Sequence, residues 1–346
     1  MNDVVRTTMM DDGKYGARDK RGNWKPFARV EYPRVFTWPV QPLGVIKWLL
    51  GSPGHILPWN LLYAAIAVVF WKYLTPPLQT MKTFEPSWIM FLIVRNGALS
   101  FVFYGFFHWL LYIRKAQGRA YKYNAKWPDE DNSAFLFKRQ ILDNMIWSLA
   151  SGVPIWTAYE VFTLWAFANG YIPFVSWEAH PVYCILVMLL VPLFREIHFY
   201  VIHRLIHWPP LYRTVHRLHH NNVNPGPWSG LAMHPLEHAA YFSGVLIHWV
   251  VPSHPLHALF QLFHAGLSPA LGHTGFDRVS LGKGGTFQTE GYAHYLHHKY
   301  FRCNYADGSI PIDKWLGTFH DGSDEAHEAM KRRSMAHSMS RKGQAS

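Results

Sequence analysis

Charge is scarce in this chain of 346 residues: Asp, Glu, Lys and Arg make up only 16% of it, against roughly 25% in soluble domains. That shortage speaks against the pair of soluble domains that length alone would suggest, at about 150 residues each. Cysteine is nearly absent. Cys184 and Cys303 are the only two, so neither a disulfide framework nor a four-cysteine zinc site is available, and reduced thiols are expected. The opening stretch MNDVVRTTMMDDGKYGARDKRGNW has no apolar core, so a signal peptide is not expected and membrane insertion falls to internal segments. Gly282-Lys-Gly-Gly285 lacks the frame of a phosphate-binding loop and reads as a turn. No dinucleotide-binding fingerprint, fused haem-binding segment, internal repeat or low-complexity stretch is visible.

What the chain has instead is apolar residues in long runs. Hydrophobic residues reach 49% and aromatics 16%, and Trp and Tyr favour membrane–water interfaces. Between Gly51 and Trp71 lie 21 residues without a formal charge, about the length needed to span a bilayer core as a helix. A second run extends from Ser87 to Ile113, broken only by Arg95, and a third from Asn144 to Phe174 with Glu160 inside and Pro154 as a kink. A fourth starts at Pro181, and from His238 to Phe276 there are 39 uncharged residues that suit a re-entrant hairpin. The expected fold is all-α: an integral membrane bundle of about four transmembrane helices, that hairpin, and a cytoplasmic histidine-rich di-metal cap. Residues 1–45 read as a basic cytoplasmic tail, 46–140 as N-terminal transmembrane helices, 141–320 as the domain that holds most of the histidines, and 321–346 as a basic, disordered tail.

The net charge of +11 fits this topology. Lys and Arg number nine in residues 1–50, seven in 114–142, four in 195–234 and ten after Phe276, whereas none lies between 170 and 180. Positive-inside counting then places both termini and the histidines on the cytoplasmic side of a multi-pass protein, in a bacterial inner membrane or endoplasmic reticulum. No nucleic-acid-binding motif accompanies the charge, so a nucleic-acid partner is not expected.

Sixteen of the 22 histidines fall between residues 198 and 298, and their spacing repeats. His203-x3-His207 is followed by His216-x2-His219-His220, then His234-x3-His238, then His294-x2-His297-His298. Positions i, i+3 and i+4 share a helix face, so each group can converge its imidazoles, which suit iron, zinc and copper. Eight donors from three groups exceed what one ion needs, and two metals is the economical count. Polar groups near a membrane are expensive and usually functional. His198 lies about 140° from His203 at 3.6 residues per turn and reads as structural. So do His55, His108, His180, His248, His254, His257, His264 and His320. Residues 234–238 also fit the loose His-x-x-Glu-His pattern of inverted zinc proteases, but a protease would leave the other groups without a role. A histidine-rich metal transporter would spread its ligands along a midplane path, whereas here they gather at one face.

The order of these groups resembles the sterol desaturase and fatty acid hydroxylase superfamily. Flanking phrases extend the likeness: Tyr200 and Arg204, LYRTVHRLHH, NPGPWSGLAMHP, GHTGF and NYADGSIPIDKWLGTF. The resemblance implies ligation of two iron ions, with zinc possible as purified, by His203, His207, His216, His219, His220, His294, His297 and His298. His234 and His273 match further family histidines, while His238 is a weaker match because Pro235 makes His234 a cap residue. Glu196 stands where the family has an aspartate, seven residues before His203 and about 20° from its phase. Glu196 and Tyr200 are therefore expected beside the metal, with Glu196 orienting a ligating imidazole. The implied activity is O2-dependent hydroxylation or desaturation of an unactivated C–H position in a membrane lipid, sterol before fatty acid. Electrons would come from a separate ferredoxin, cytochrome b5 or reductase.

Overall fold

In the computed structural model, which describes residues 12–282 and 285–343 (backbone alone for 336–343), helices dominate. The first helices are α1 (Pro42–Leu50), α2 (Trp59–Tyr73) and α3 (Pro86–His108), the last continued by a π-helical turn to Ile113. Next come α4 (Gln140–Trp147), a π-helical turn, α5 (Val153–Ala168) and α6 (Pro181–Ile206). Short α7 (Pro209–Leu211) and α8 (Arg217–His220) flank a third π-helical turn, Tyr212–His216. Then follow α9 (Pro235–Phe242), α10 (Pro255–Gly272), α11 (Tyr292–Tyr300), α12 (Ile312–Trp315) and α13 (Asp324–Gly343). Two antiparallel hairpins complete the described residues, pairing Gly16–Arg18 with Trp24–Pro26 and Arg278–Ser280 with Thr286–Gln288. Of the turn expected at 282–285, Lys283 and Gly284 lie outside the described residues.

Helix α10 is the hub. Its residues from Pro255 to Leu271 are buried almost without exception, and it packs against α2, α3, α5 and α6. In the stretch expected as a re-entrant hairpin, Pro252 and Pro255 separate α9 and a 3-10 turn from a helix enclosed by protein. Two helices are long and apolar enough to cross a membrane, Pro86–Ile113 and Pro181–Ile206. Helix α2 has 15 residues, about 22 Å at 1.5 Å per residue, short of the roughly 30 Å of a hydrocarbon core, whereas α4, its π-helical turn and α5 follow one another without a break over residues 140–168. The C-terminal tail, expected to be disordered, is helical over Asp324–Gly343. Its Ala, Glu, Lys, Arg and Met residues are strong helix formers, and Met330 is buried in a cluster with Trp24, Tyr123 and Leu296.

The two long helices are polar inward and apolar outward. On α3, Met90, Phe91, Val94, Phe101, Val102 and Phe106 are exposed, and on α6 so are Val182, Ile185, Leu186, Leu190, Ile197 and Val201. Inward from α3, Arg95 is 6% exposed and is held by Glu160, by Asn96 Oδ1 at 2.9 Å, by Leu74 O at 3.0 Å and by Thr75 Oγ1 at 3.1 Å. Asn96 Nδ2 closes the network by donating to Glu160 Oε2 at 2.8 Å and Thr157 Oγ1 at 3.0 Å. Removing one partner of a buried pair strands the other charge, which costs about 3–5 kcal/mol. Glu160→Ala should therefore lower stability by about that amount in thermal unfolding of detergent-solubilised protein. The Arg95→Leu/Glu160→Leu double variant should recover more than half of the loss. Equal destabilisation by single and double variants would refute the reading.

Candidate metal centre

Four elements bring nine histidines together. Helix α6 ends with His203 and places His207 at its C-cap; the π-helical turn and α8 carry His216, His219 and His220. His273 caps α10, and α11 carries His294, His297 and His298. Helix α11 can approach because Gly291 precedes it: a Cβ there would stand 2.6 Å from Gly272 O. His203, His207, His216, His220 and His297 form one cluster; His219, His273, His294 and His298 form the other. Within each, the ligand nitrogens all lie within 4.8 Å of one another. The second and fourth histidine motifs are thus each divided between two sites, and His220 of one packs 4.8 Å (ring centroids) from His298 of the other.

Hydrogen bonding fixes which nitrogen faces inward. His203 Nδ1 lies 2.7 Å from Tyr305 O, His297 Nδ1 2.7 Å from Cys303 O, His273 Nδ1 2.9 Å from Pro269 O and His219 Nδ1 3.3 Å from Ala232 O. His216 Nδ1 lies 2.8 Å from Glu237 Oε1. A carbonyl accepts, so those Nδ1 atoms carry the proton and their Nε2 lone pairs are free. In the first cluster His207 Nε2 lies 3.1 Å from His297 Nε2, 3.1 Å from His216 Nε2 and 3.2 Å from His220 Nε2. In the second, His273 Nε2 lies 3.0 Å from His294 Nε2 and 3.2 Å from His298 Nε2. Lone pairs that converge this closely repel unless a cation lies between them. At a metal–imidazole distance of roughly 2.0–2.1 Å, neighbouring donors at a right angle stand about 3 Å apart. The donor sets fit two such ions.

Burial reinforces neutrality. His216, His219, His220, His294, His297 and His298 are held well below the ordinary histidine range, by desolvation first and neighbouring imidazoles second. Burial also pushes the Glu237 carboxyl well up; a bound cation would favour its ionised form.

The other expected residues go elsewhere. His234 joins neither cluster: its Nδ1 accepts from Leu236 N at 3.2 Å as the N-cap of α9. His238 faces Ser151 Oγ and Leu231 O, each at 3.0 Å. Glu196 orients no imidazole. Its Oε1 accepts from Gly308 N at 2.9 Å and Ile310 N at 3.0 Å, pinning the loop that carries Tyr305. Tyr200 packs in a small cluster with Tyr305 and Ala306. His198, expected to be structural, lies 3.0 Å from Ser243 Oγ. Two contributors escaped sequence reading. Glu237 had its only signal in the rejected protease pattern, and Asp313 accepts from Tyr305 N at 3.0 Å and Ala306 N at 2.7 Å. Both cysteines are free and buried, as expected.

A cavity of about 890 Å³ opens beside the clusters, reached by His203, His219 and His294 and walled elsewhere by residues 26–34, Trp59, Tyr63 and the 307–309 loop. That volume is within the range of about 300–1,000 Å³ for small-molecule sites.

Comparison with known proteins places this geometry. Residues 188–318 match the family model for fatty acid hydroxylase. A Delta(7)-sterol 5(6)-desaturase of Gibberella zeae is 31% identical over 149 residues, 41% of this chain and 45% of that protein. One from Aspergillus fumigatus is 31% identical over 162 residues, 40% of this chain and 50% of that protein. With both, the match spans half or less of the relative's length. A Delta(7)-sterol-C5(6)-desaturase of Nicotiana tabacum is 28% identical over 68% of this chain and 84% of its own. No solved structure matches.

Two outcomes are expected. Glu237→Gln should weaken metal binding about 10- to 100-fold by chelator competition, as loss of a ligand's hydrogen-bond partner does; unchanged affinity would remove Glu237 from the site. Metal-free protein should lose stability as pH falls. The six named imidazoles titrate lower folded than unfolded, so below about pH 6.5 the unfolded chain binds more protons. Each such group then costs roughly 1.4 kcal/mol per pH unit. A flat unfolding midpoint between pH 7 and 5 would contradict this.

Proposed function

We propose, from the match to the fatty acid hydroxylase family model and the similarity to sterol desaturases, that this chain belongs to that superfamily and is a membrane-bound lipid oxidoreductase acting at a C–H bond. The observation that carries this reading is the pair of clusters, five and four histidines, each with its free nitrogens turned toward a common centre. Two iron ions held there would supply O2-dependent abstraction of hydrogen from an unactivated carbon, giving a hydroxyl group or an alkene. The chain's own share is to hold and orient: the carbonyls of Tyr305, Cys303, Pro269 and Ala232 and the carboxylate of Glu237 fix the imidazoles. The buried clusters exclude bulk water, and the cavity beside them presents the substrate. Sterol is the first substrate reading, supported by the names of the curated relatives; a fatty acyl or alkyl chain is the second, supported by the family model.

Membrane embedding is supported by the exposed apolar faces of α3 and α6. Multi-pass insertion with both termini and the metal centre on the cytoplasmic side follows from the distribution of Lys and Arg. Electrons come from a separate acidic carrier such as a ferredoxin, cytochrome b5 or reductase. Exposed Arg204, Arg213, Arg217, Lys299 and Arg302 flank the ligand-bearing elements and offer it a complementary surface.

The test is lipid profiling of cells expressing the wild type or the His219→Ala/His297→Ala variant, which strips one ligand from each cluster. New hydroxylated or unsaturated lipid should accumulate only with the wild type, and anaerobically purified protein should hold about two iron ions per chain. A double variant that makes every wild-type product would defeat the di-metal oxygenase reading.

A further inference from the structure

We infer that Tyr63, His264 and Ser268 form a recognition notch for the hydroxyl end of a lipid alcohol. The inference rests on the oxygenase reading but concerns a different wall of the same cavity.

Tyr63 and Asn60 lie on successive turns of α2, and His264 and Ser268 on successive turns of α10, and all four line the cavity. Tyr63 is 1% exposed and His264 7%, yet Tyr63 Oη, His264 Nδ1 and Ser268 Oγ have no hydrogen-bond partner. Buried polar atoms without partners are rare and costly. Three lining one cavity point to a ligand that satisfies them.

The neighbouring bonds set the polarity. Asn60 Nδ2 donates to His55 O at 2.6 Å, which leaves Asn60 Oδ1 as an acceptor facing His264 Nε2 at 2.8 Å. His264 Nε2 therefore carries the ring proton, and Nδ1 keeps an unpartnered lone pair. The notch offers one strict acceptor and two hydroxyl groups, the complement of an alcohol that both donates and accepts. A carboxylate or phosphate would find a lone pair opposing it, and Lys14, Arg34 and Lys47, which also line the cavity, stand on other segments than α2 and α10. Arg195, the buried cation on this cavity, is already held by Asp307 and by Tyr241 Oη at 2.6 Å, and Glu290 also lines the cavity.

Helix α10 also acts as a ruler. His264 precedes the cluster residue His273 by nine positions, about 13 Å along the axis, and Ser268 by five, about 7 Å. The notch thus lies along α10 on the order of 10 Å before the end that His273 caps.

The test measures equilibrium binding of radiolabelled lipids to the metal-loaded protein in detergent. Two pairs serve as probes, cholesterol with cholestane and octadecan-1-ol with octadecane, beside octadecanoate. The wild type should bind the alcohol of at least one pair about 10-fold more tightly than its hydrocarbon, the scale of one hydrogen bond to a buried site. Tyr63→Phe and His264→Phe should each erase most of that preference while leaving hydrocarbon binding unchanged. Because Tyr63 Oη has no partner in the protein, Tyr63→Phe should leave the thermal midpoint equal or higher, which separates a binding role from a structural one. Equal binding of alcohol and hydrocarbon, a preference that survives both variants, or tighter binding of octadecanoate would each overturn the inference and leave a water-filled notch only. Hydroxyl-dependent binding in a protein that oxidises no lipid would support the notch and overturn the oxygenase reading alone.

Discussion

Nine imidazoles with their nitrogens turned toward one another make an arrangement that opposes itself until cations enter. Much of the surrounding architecture counters that repulsion. Each Nδ1 that bonds a carbonyl or Glu237 fixes both the tautomer and the ring plane, so ligation costs less side-chain ordering. Those carbonyls sit on loops that are themselves held: Glu196 and Asp313 accept backbone donors from residues 305–310. Gly291 lets α11 close against the end of α10. Three ligands, His220, His294 and His298, have no Nδ1 partner, so their orientation depends on packing against the other rings.

The half built on α3, α5 and α10 obeys a different constraint. In the bilayer proposed above there is little hydrophobic drive between helices, and packing and buried polar contacts must hold the bundle. The network of Arg95, Asn96, Thr157 and Glu160 supplies such a contact between α3 and α5, and Tyr104 Oη donates to Gly266 O at 2.8 Å to tie α3 to α10. Helix α10 is apolar like a span but is surrounded by protein on every side. Its rigidity matters because it joins the apolar bundle to the metal centre through His273.

These two constraints explain what could be read from the sequence. Spacings of three and four on a helix announce convergence without structure, and the eight histidines they mark all fall into the clusters; His273 follows from the family resemblance alone, and His234, expected on the same ground, stays outside. Their division between two sites depends on how α8 and α11 face each other. His219 crosses to the ligands opposite its own motif, and so does His297, which no spacing encodes. Helical phase sets Glu196 about 20° from His203, yet phase gives a direction and not the loop that arrives there, 308–310. Glu237 lies 21 residues from His216, a pairing set by the placement of α9. Hydropathy located the apolar runs but not their helix ends. Pro58 delays α2, and the buried setting of α10 depends on neighbours distant in sequence.

The cavity and the metal centre share a wall, and this links substrate binding to ligand geometry. The segment 307–309 lines the cavity; Tyr305, two residues earlier, accepts from His203, and Asp307 pairs with Arg195. A ligand that displaced this loop would therefore shift the carbonyl that orients His203, against the hold of Arg195 and Glu196 from the side of α6. The carboxylate expected to touch a ligand acts one step away, on the loop that both substrate and metal must meet.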